Sequence, residues 1–147
     1  MKTLIRQARS SDGRRIKALL KKAELPYEDV EIGRQTFLVA TAGGRIVGTV
    51  GVEAYGKHGL LRSLAVDEEL RDHGLGSELT GEMVEKARSI GVRELYLLTL
   101  TAAQFFEKHG FERTERAKAP AALQGTTEFA SLCPVSSVCM RKRLSSN

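Results

Sequence analysis

A chain of 147 residues, 41% hydrophobic and 28% charged, has the size of one domain and enough apolar matter for a core, which excludes the disordered class and leaves residues 1–147 expected as a single domain. The longest apolar runs, such as Leu95–Leu98, fall far short of a bilayer-crossing helix. The net charge of +5 suits a polyanion, but only Arg141-Lys142-Arg143 forms a basic run, and with no tryptophan and 5% aromatics there is little surface for stacking bases, so neither a nucleic-acid nor a membrane partner is expected.

Met1–Ile5 meets Arg6 and Arg9 rather than an apolar signal region, so the expected location is the cytoplasm. Leu4–Ala8 reads as a short strand. Ser11-Asp12 offers side-chain oxygens to cap a helix with Ile16, Leu19, Leu20 and Ala23 on one face, stopped by Leu25-Pro26. Residues 27–34 are polar and read either as a second short helix or as a flap. Thr36–Thr41 and Arg45–Tyr55, rich in β-branched residues and joined through Ala42-Gly43-Gly44, predict a hairpin. Leu60–Val66 is a further strand. After a loop comes a helix on which Leu75, Leu79, Met83 and Ala87 recur at four-residue spacing, closed by Gly91. Glu94–Thr99 predicts a buried strand, Ala102–His109 a short helix and Phe111–Ala117 a strand. Helical turns around 120–123 and 127–132 and a last strand, Ser137–Arg143, complete the chain. Antiparallel strands thus precede a parallel strand-helix-strand crossover, which predicts an α/β fold with a central mixed sheet of six or seven strands and helices on both faces.

The segment Leu64-Ala65-Val66-Asp67-Glu68-Glu69-Leu70-Arg71-Asp72-His73-Gly74-Leu75-Gly76-Ser77 joins a strand to a helix start. The first amides of a helix have no internal partner and carry the positive end of the macrodipole, so a phosphate is favoured there. Gly74 and Gly76 remove Cβ atoms that would hold an anion away, and Arg71 adds a fixed charge. The same R-x-x-G-x-G pattern is also what a tight turn before any helix would need.

Taken with the strand before it, the helix and strand after it, and Phe106-Glu107-Lys108-His109-Gly110-Phe111, the pattern resembles the GNAT-family N-acetyltransferases over nearly the whole chain. The resemblance implies acetyl-CoA as co-substrate, with its pyrophosphate on the loop Arg71, Asp72, His73, Gly74, Leu75, Gly76 and Ser77. It also implies a pantetheine arm along the main chain of Leu64, Ala65 and Val66, and direct transfer of the acetyl group to an amine. A narrower resemblance, in Leu60–Val66, Leu97–Ala102 and Glu128–Pro134, is to the ArsN-type acetyltransferases of arsenic-resistance operons, whose members acylate the amino group of arsinothricin or phosphinothricin. GNAT relatives often dimerise, and exchange of a C-terminal strand leaves a homodimer open.

Departures from the family pattern leave the proton chemistry to be found. Phe106 stands where many relatives place a tyrosine acid, and Leu61 stands where a carboxylate is often found. An amine must lose a proton to attack, so Glu53 is the first candidate base, with Tyr55 on the same strand face as candidate acid; the alternative is a solvated strand-end carboxylate. Arg62, on a strand walling the expected cleft, suits a substrate carboxylate or phosphinate, or else is a surface arginine paired with an acid. Thr99 is assigned to the cofactor and Thr101 to the substrate, although capping of the helix at Ala102 accounts for one hydroxyl without function. Arg113 and Arg116 suit either phosphates or a solvated strand face. His58, His73 and His109 lack metal-ligand spacing, and no metal is expected. Two other readings stay open: an acetyl-CoA-binding module without transfer activity, and a metalloid-responsive protein using Cys133 and Cys139.

Overall fold

The computed structural model describes residues 2–144. Seven strands, β1 (Leu4–Gln7), β2 (Thr36–Ala42), β3 (Arg45–Tyr55), β4 (His58–Val66), β5 (Glu94–Thr99), β6 (Glu112–Thr114) and β7 (Val138–Arg143), form one sheet in the order β1-β2-β3-β4-β5-β7-β6. β4 pairs in parallel with β5, whereas β1 with β2, β2 with β3, β5 with β7 and β6 with β7 are antiparallel. The helices are α1 (Gly13–Lys22), α2 (Leu75–Ser89), α3 (Ala103–Lys108) and α4 (Ala121–Gln124). The last strand by sequence lies inside the sheet, between β5 and β6, a placement that strand patterns cannot reveal. Two compact units are distinguishable, one running to Glu53 and resuming over Ser63–Met83, the other comprising Ala54–Arg62 and the chain from Val84.

In the first unit Ile16 and Leu20, one turn apart on α1, are fully buried with Phe37, Val39, Ile46 and Ala65. The expected side-chain cap of α1 is absent. Asp12 turns instead to Arg6, 2.8 Å away, and to the backbone N–H of Arg9 at 2.7 Å, two charge-assisted contacts that occupy the carboxylate. The helix ends at Lys22, three residues before the expected Leu25-Pro26 signal; past its C-cap Ala23, Glu24 takes φ 60° and the Leu25 amide returns to the Leu20 carbonyl. Residues 27–34 form turns and no helix.

Gly43 and Gly44, at φ 58° and 78°, provide the two left-handed residues that a tight hairpin turn requires. Alternation along the hairpin then assigns its faces. A Cβ on Gly51 would lie 2.7 Å from the ring of Phe37, on the α1 face, and one on Gly48 would lie 2.9 Å from Leu79 of α2 on the other. Glycine at these two positions lets a bulky ring and a helix press onto opposite sides of the same ribbon, so helices cover both faces as the sequence predicts.

The second unit is organised around β5, whose Leu95 and Leu97 are buried. One apolar cluster joins Leu60, Tyr96 and Cys139 to Ala119, Leu123 and Phe129 of the irregular segment after β6. Phe106 makes edge-on ring contacts with Phe105 and Phe111. β6 is shorter than the expected Phe111–Ala117 because Arg116–Lys118 wind into a 3₁₀ turn. Among the described residues no helix is long and apolar enough to cross a membrane.

The Arg6 hydrogen bond is the main reason the Asp12 carboxyl is held down at about 2. A carboxyl depressed in the folded state stabilises fully above its unfolded value near 4 and loses that contribution as pH falls through about 2. Asp12→Asn is therefore expected to cost about 2 kcal/mol at neutral pH, with the gap to wild type closing between pH 4 and pH 2 in urea titrations.

Candidate functional site

The loop before α2 is built from short local bonds. At the end of β4 the Asp67 amide donates to Val47 O at 2.7 Å, and the Asp67 carboxylate accepts from the Glu69 amide, setting a 3₁₀ turn over Glu68–Leu70. Arg71 is extended and its Nε donates to Val66 O at 3.2 Å, which folds the side chain back over the loop while leaving it exposed. Asp72 and Gly74 then take φ 67° and 84°. Aspartate tolerates that region through local hydrogen bonding, and glycine has no Cβ to strain. The turn delivers Leu75 into the core and starts α2, whose first ladder bond, Glu78 N–H to Gly74 O, leaves the preceding amides outside the ladder.

Nothing approaches within 4 Å of the place a Gly74 Cβ would occupy, so the approach to the helix start is open. Arg71, Asp72, His73, Gly74 and Ser77 are exposed, Gly76 is half-buried, and Leu75 anchors the turn from below. Along β4 the Ala65 side chain enters the α1 core, which turns the side chains of Leu64 and Val66 to the other face.

Ser63 was not singled out by the sequence, yet its φ is 62° in the middle of a strand. A non-glycine residue there stores roughly 1–3 kcal/mol and persists only where its surroundings impose it. The parallel ladder to β5 runs His58–Leu60, so the strained residue lies beyond the last of those pairs. A serine in the largely apolar run Leu60–Val66 gives no warning of such a twist.

Glu53 is a buried carboxylate, 8% exposed, and not the solvated strand end of the alternative reading. Gln35, which the sequence analysis passed over, donates to it at 3.2 Å, donates to Asp29 O at 3.0 Å and accepts the Glu31 amide at 2.8 Å. One amide side chain therefore fastens residues 29–35 and touches the candidate base. Tyr55, two residues further along β3, is exposed.

In the second unit Arg62 is not at the surface either. Its side chain is 0% exposed, and Nη2 lies 3.4 Å from a Glu128 carboxylate that is itself 5% exposed. Glu128 begins a π-helical turn, Glu128–Leu132, a geometry frequent at functional positions. Neither its burial nor its pairing was legible in the sequence. Thr99 Oγ1 accepts the Ala102 amide at 3.0 Å, capping the approach to α3, while Thr101 is exposed. Arg113 pairs with Glu107, and Arg116 donates to the carbonyls of Phe129, Cys133 and Pro134. Burial, and for Cys133 also the Glu128 charge, pushes the Cys133 and Cys139 thiols up to about 12 and 11, far from the thiolate form that binds soft metalloids.

Replacing Gly74 with alanine is expected to cost roughly 1–2 kcal/mol from backbone strain alone, since a methyl meets no atom there. Asparagine at the same place should recover part of that loss in thermal melts.

The chain matches the acetyltransferase (GNAT) domain family over residues 33–113, more than half its length. It is 27% identical over 125 residues to an amino-acid acetyltransferase of Neisseria meningitidis, covering 79% of this chain and 29% of that protein. The chain thus spans less than a third of the length of the curated relatives it matches. N-acetylglutamate synthase from Neisseria gonorrhoeae, solved with coenzyme A and N-acetyl-glutamate, superposes with TM-score 0.82 at 24% identity over 99% of this chain and 36% of that one, a likeness of fold. Rv2747 from Mycobacterium tuberculosis, solved in complex with CoA, gives TM-score 0.78 at 25% identity over 97% and 99%. With its mixed seven-stranded sheet and the glycine turn that opens α2, the chain belongs to the GNAT acetyltransferase family.

Proposed function

We propose that this chain transfers an acetyl group from acetyl-CoA to the α-amino group of a small acidic amino acid or a close analogue. The observation that carries the reading is the exposed arginine and left-handed glycine turn at the start of α2, an arrangement suited to a diphosphate. The acceptor class is supported by relatives described as amino-acid acetyltransferases and by the neighbour solved with N-acetyl-glutamate. Arsinothricin and phosphinothricin, the substrates implied by the ArsN-type resemblance, are glutamate-like amines of the same class.

In this reading Arg71 and the amides of Leu75, Gly76 and Ser77 hold the pyrophosphate, and Leu64 and Val66 offer main-chain groups to the pantetheine arm. Acetyl-CoA supplies the thioester carbonyl that the amine attacks. Glu53 takes the proton the amine must lose, directly or through a water, and Gln35 fixes the carboxylate for that task. Tyr55, or solvent, returns a proton to the departing thiolate. Arg62 recognises the acceptor's carboxylate.

Acetyl-CoA is expected to raise the melting temperature of the wild type, because a ligand of the native state adds to its stability. Arg71→Ala should weaken that binding roughly tenfold, about the worth of one charge-assisted contact. Glu53→Gln should lower kcat by about 10²–10⁴-fold while leaving acetyl-CoA binding unchanged. Thiol release with L-glutamate, phosphinothricin and arsinothricin as acceptors decides the substrate. A melting shift with no thiol released from any amine would instead favour a cofactor-binding module without chemistry.

A further inference from the structure

Helix α1 carries Arg14, Arg15, Lys17, Lys21 and Lys22 and no acid. Arg15 bears electrostatically on Asp12, and Lys21 lies over the Tyr27 ring, 5.8 Å from its centre. Arg14 and Lys17 have no hydrogen-bond or ion-pair partner for their side chains among the described residues. Three positions apart, they share one face of the helix. That face borders a groove of about 410 Å³, lined by Arg14 and Lys17 with Ser10, Gly13, Val30 and Ile32. Small-molecule sites have roughly 300–1,000 Å³.

Across from the cations the groove has an apolar wall whose backbone is fixed. Val30 belongs to the core around Ile16 and Phe37, and Ile32 packs against the same cluster. Gln35 pins the chain on either side of Val30: its Nε2 donates to Asp29 O at 3.0 Å and its Oε1 accepts the Glu31 amide at 2.8 Å. The Val30 amide itself donates to Tyr27 O at 3.2 Å. Acids close by in the chain are engaged elsewhere. Asp12 is held by Arg6 and the Arg9 amide, Glu28 accepts the Tyr27 amide, and Glu31 faces Arg34. Gly13 puts no side chain into the gap, where a Cβ would meet only Ile32, at 3.8 Å. The Gly13 amide is bonded to Ser10 O, so the charge of the groove is that of its side chains and not of a free helix end.

We propose that this groove binds a small organic anion, a carboxylate on a short aliphatic chain, with the carboxylate at Arg14 and Lys17 and the chain along Val30 and Ile32. None of the lining residues belongs to the loop before α2 or to the groups assigned above to proton transfer and acceptor recognition, so this is a second site and does not rest on the acetyl-transfer reading. The guanidinium fork and the ammonium both suit a carboxylate. Surface charges alone discriminate little, because water serves them almost as well. Selectivity comes from the wall, where each methylene taken out of water adds affinity. Cations without the wall would accept any anion, and the wall without the cations any short alkyl group; together they favour the molecule that has both parts.

Hexanoate is the probe. At ten times its dissociation constant, measured by calorimetric titration, it is expected to raise the melting temperature of the wild type by roughly 3–6 °C over sodium chloride at equal ionic strength. Acetate, with the charge but hardly any chain, should do much less. Two changes locate the effect. Arg14→Ser combined with Lys17→Ser removes the cations, while Gly13→Leu keeps them and fills the gap; the backbone there, φ −53° and ψ −44°, accepts any side chain. Both proteins should keep urea midpoints close to that of the wild type and lose the hexanoate response. A wild type that responds to hexanoate no more than to chloride, or no more than to acetate, overturns the proposal. A hexanoate response that survives in either variant overturns it as well, since the ligand would then sit elsewhere.

Discussion

A carboxylate removed from water has to find donors, and in this chain that requirement fixes the parts that regular secondary structure does not. Asp12 draws Arg6 and the Arg9 amide around the entry to α1. Glu53 takes an amide from Gln35, and the same side chain secures residues 29–35. Glu128 meets Arg62 and brings the π-helical turn with it. In each case a loop or helix end is held by a buried polar contact whose loss would leave a desolvated charge, so the local geometry is more tightly determined than the absence of a helix or strand suggests.

The loop before α2 is held on a different principle. It is exposed and depends on backbone conformation: two residues at positive φ, Asp72 and Gly74, separate Arg71 from α2. Under the proposed function, cofactor binding and acceptor recognition would therefore rest on unlike chemistry. In the proposed reading, phosphate would be met by main-chain dipoles and a solvated cation. A carboxylate would be met by the guanidinium of Arg62, which is buried beside Glu128.

The irregular stretch after β6 shows how side chains can do what repetitive structure does elsewhere. Arg116 bonds three carbonyls, and Gln124 donates to the carbonyls of Arg116 and Ala119. Phe129, Leu123 and Ala119 then cover Leu60 and Tyr96. The two cysteines sit within this arrangement as protonated, poorly reactive thiols, which speaks for packing over metalloid chemistry.

The sequence by itself determined the succession of elements and the turn that opens α2, because both are written in local signals: four-residue apolar spacing along α2, β-branched runs flanking Gly43-Gly44, and glycines next to Arg71. Those patterns depend on neighbours in the chain, and local sterics and hydrogen bonding enforce them. Only the tertiary structure decided that β7 lies between β5 and β6, that Ser63 is strained, that Asp12 faces Arg6 instead of capping α1, and that Gln35 and Glu128 are the partners of Glu53 and Arg62. Each joins groups brought together by folding, or imposes a backbone angle against local preference, and the free energy that fixes them comes from burial, which no run of neighbouring residues encodes.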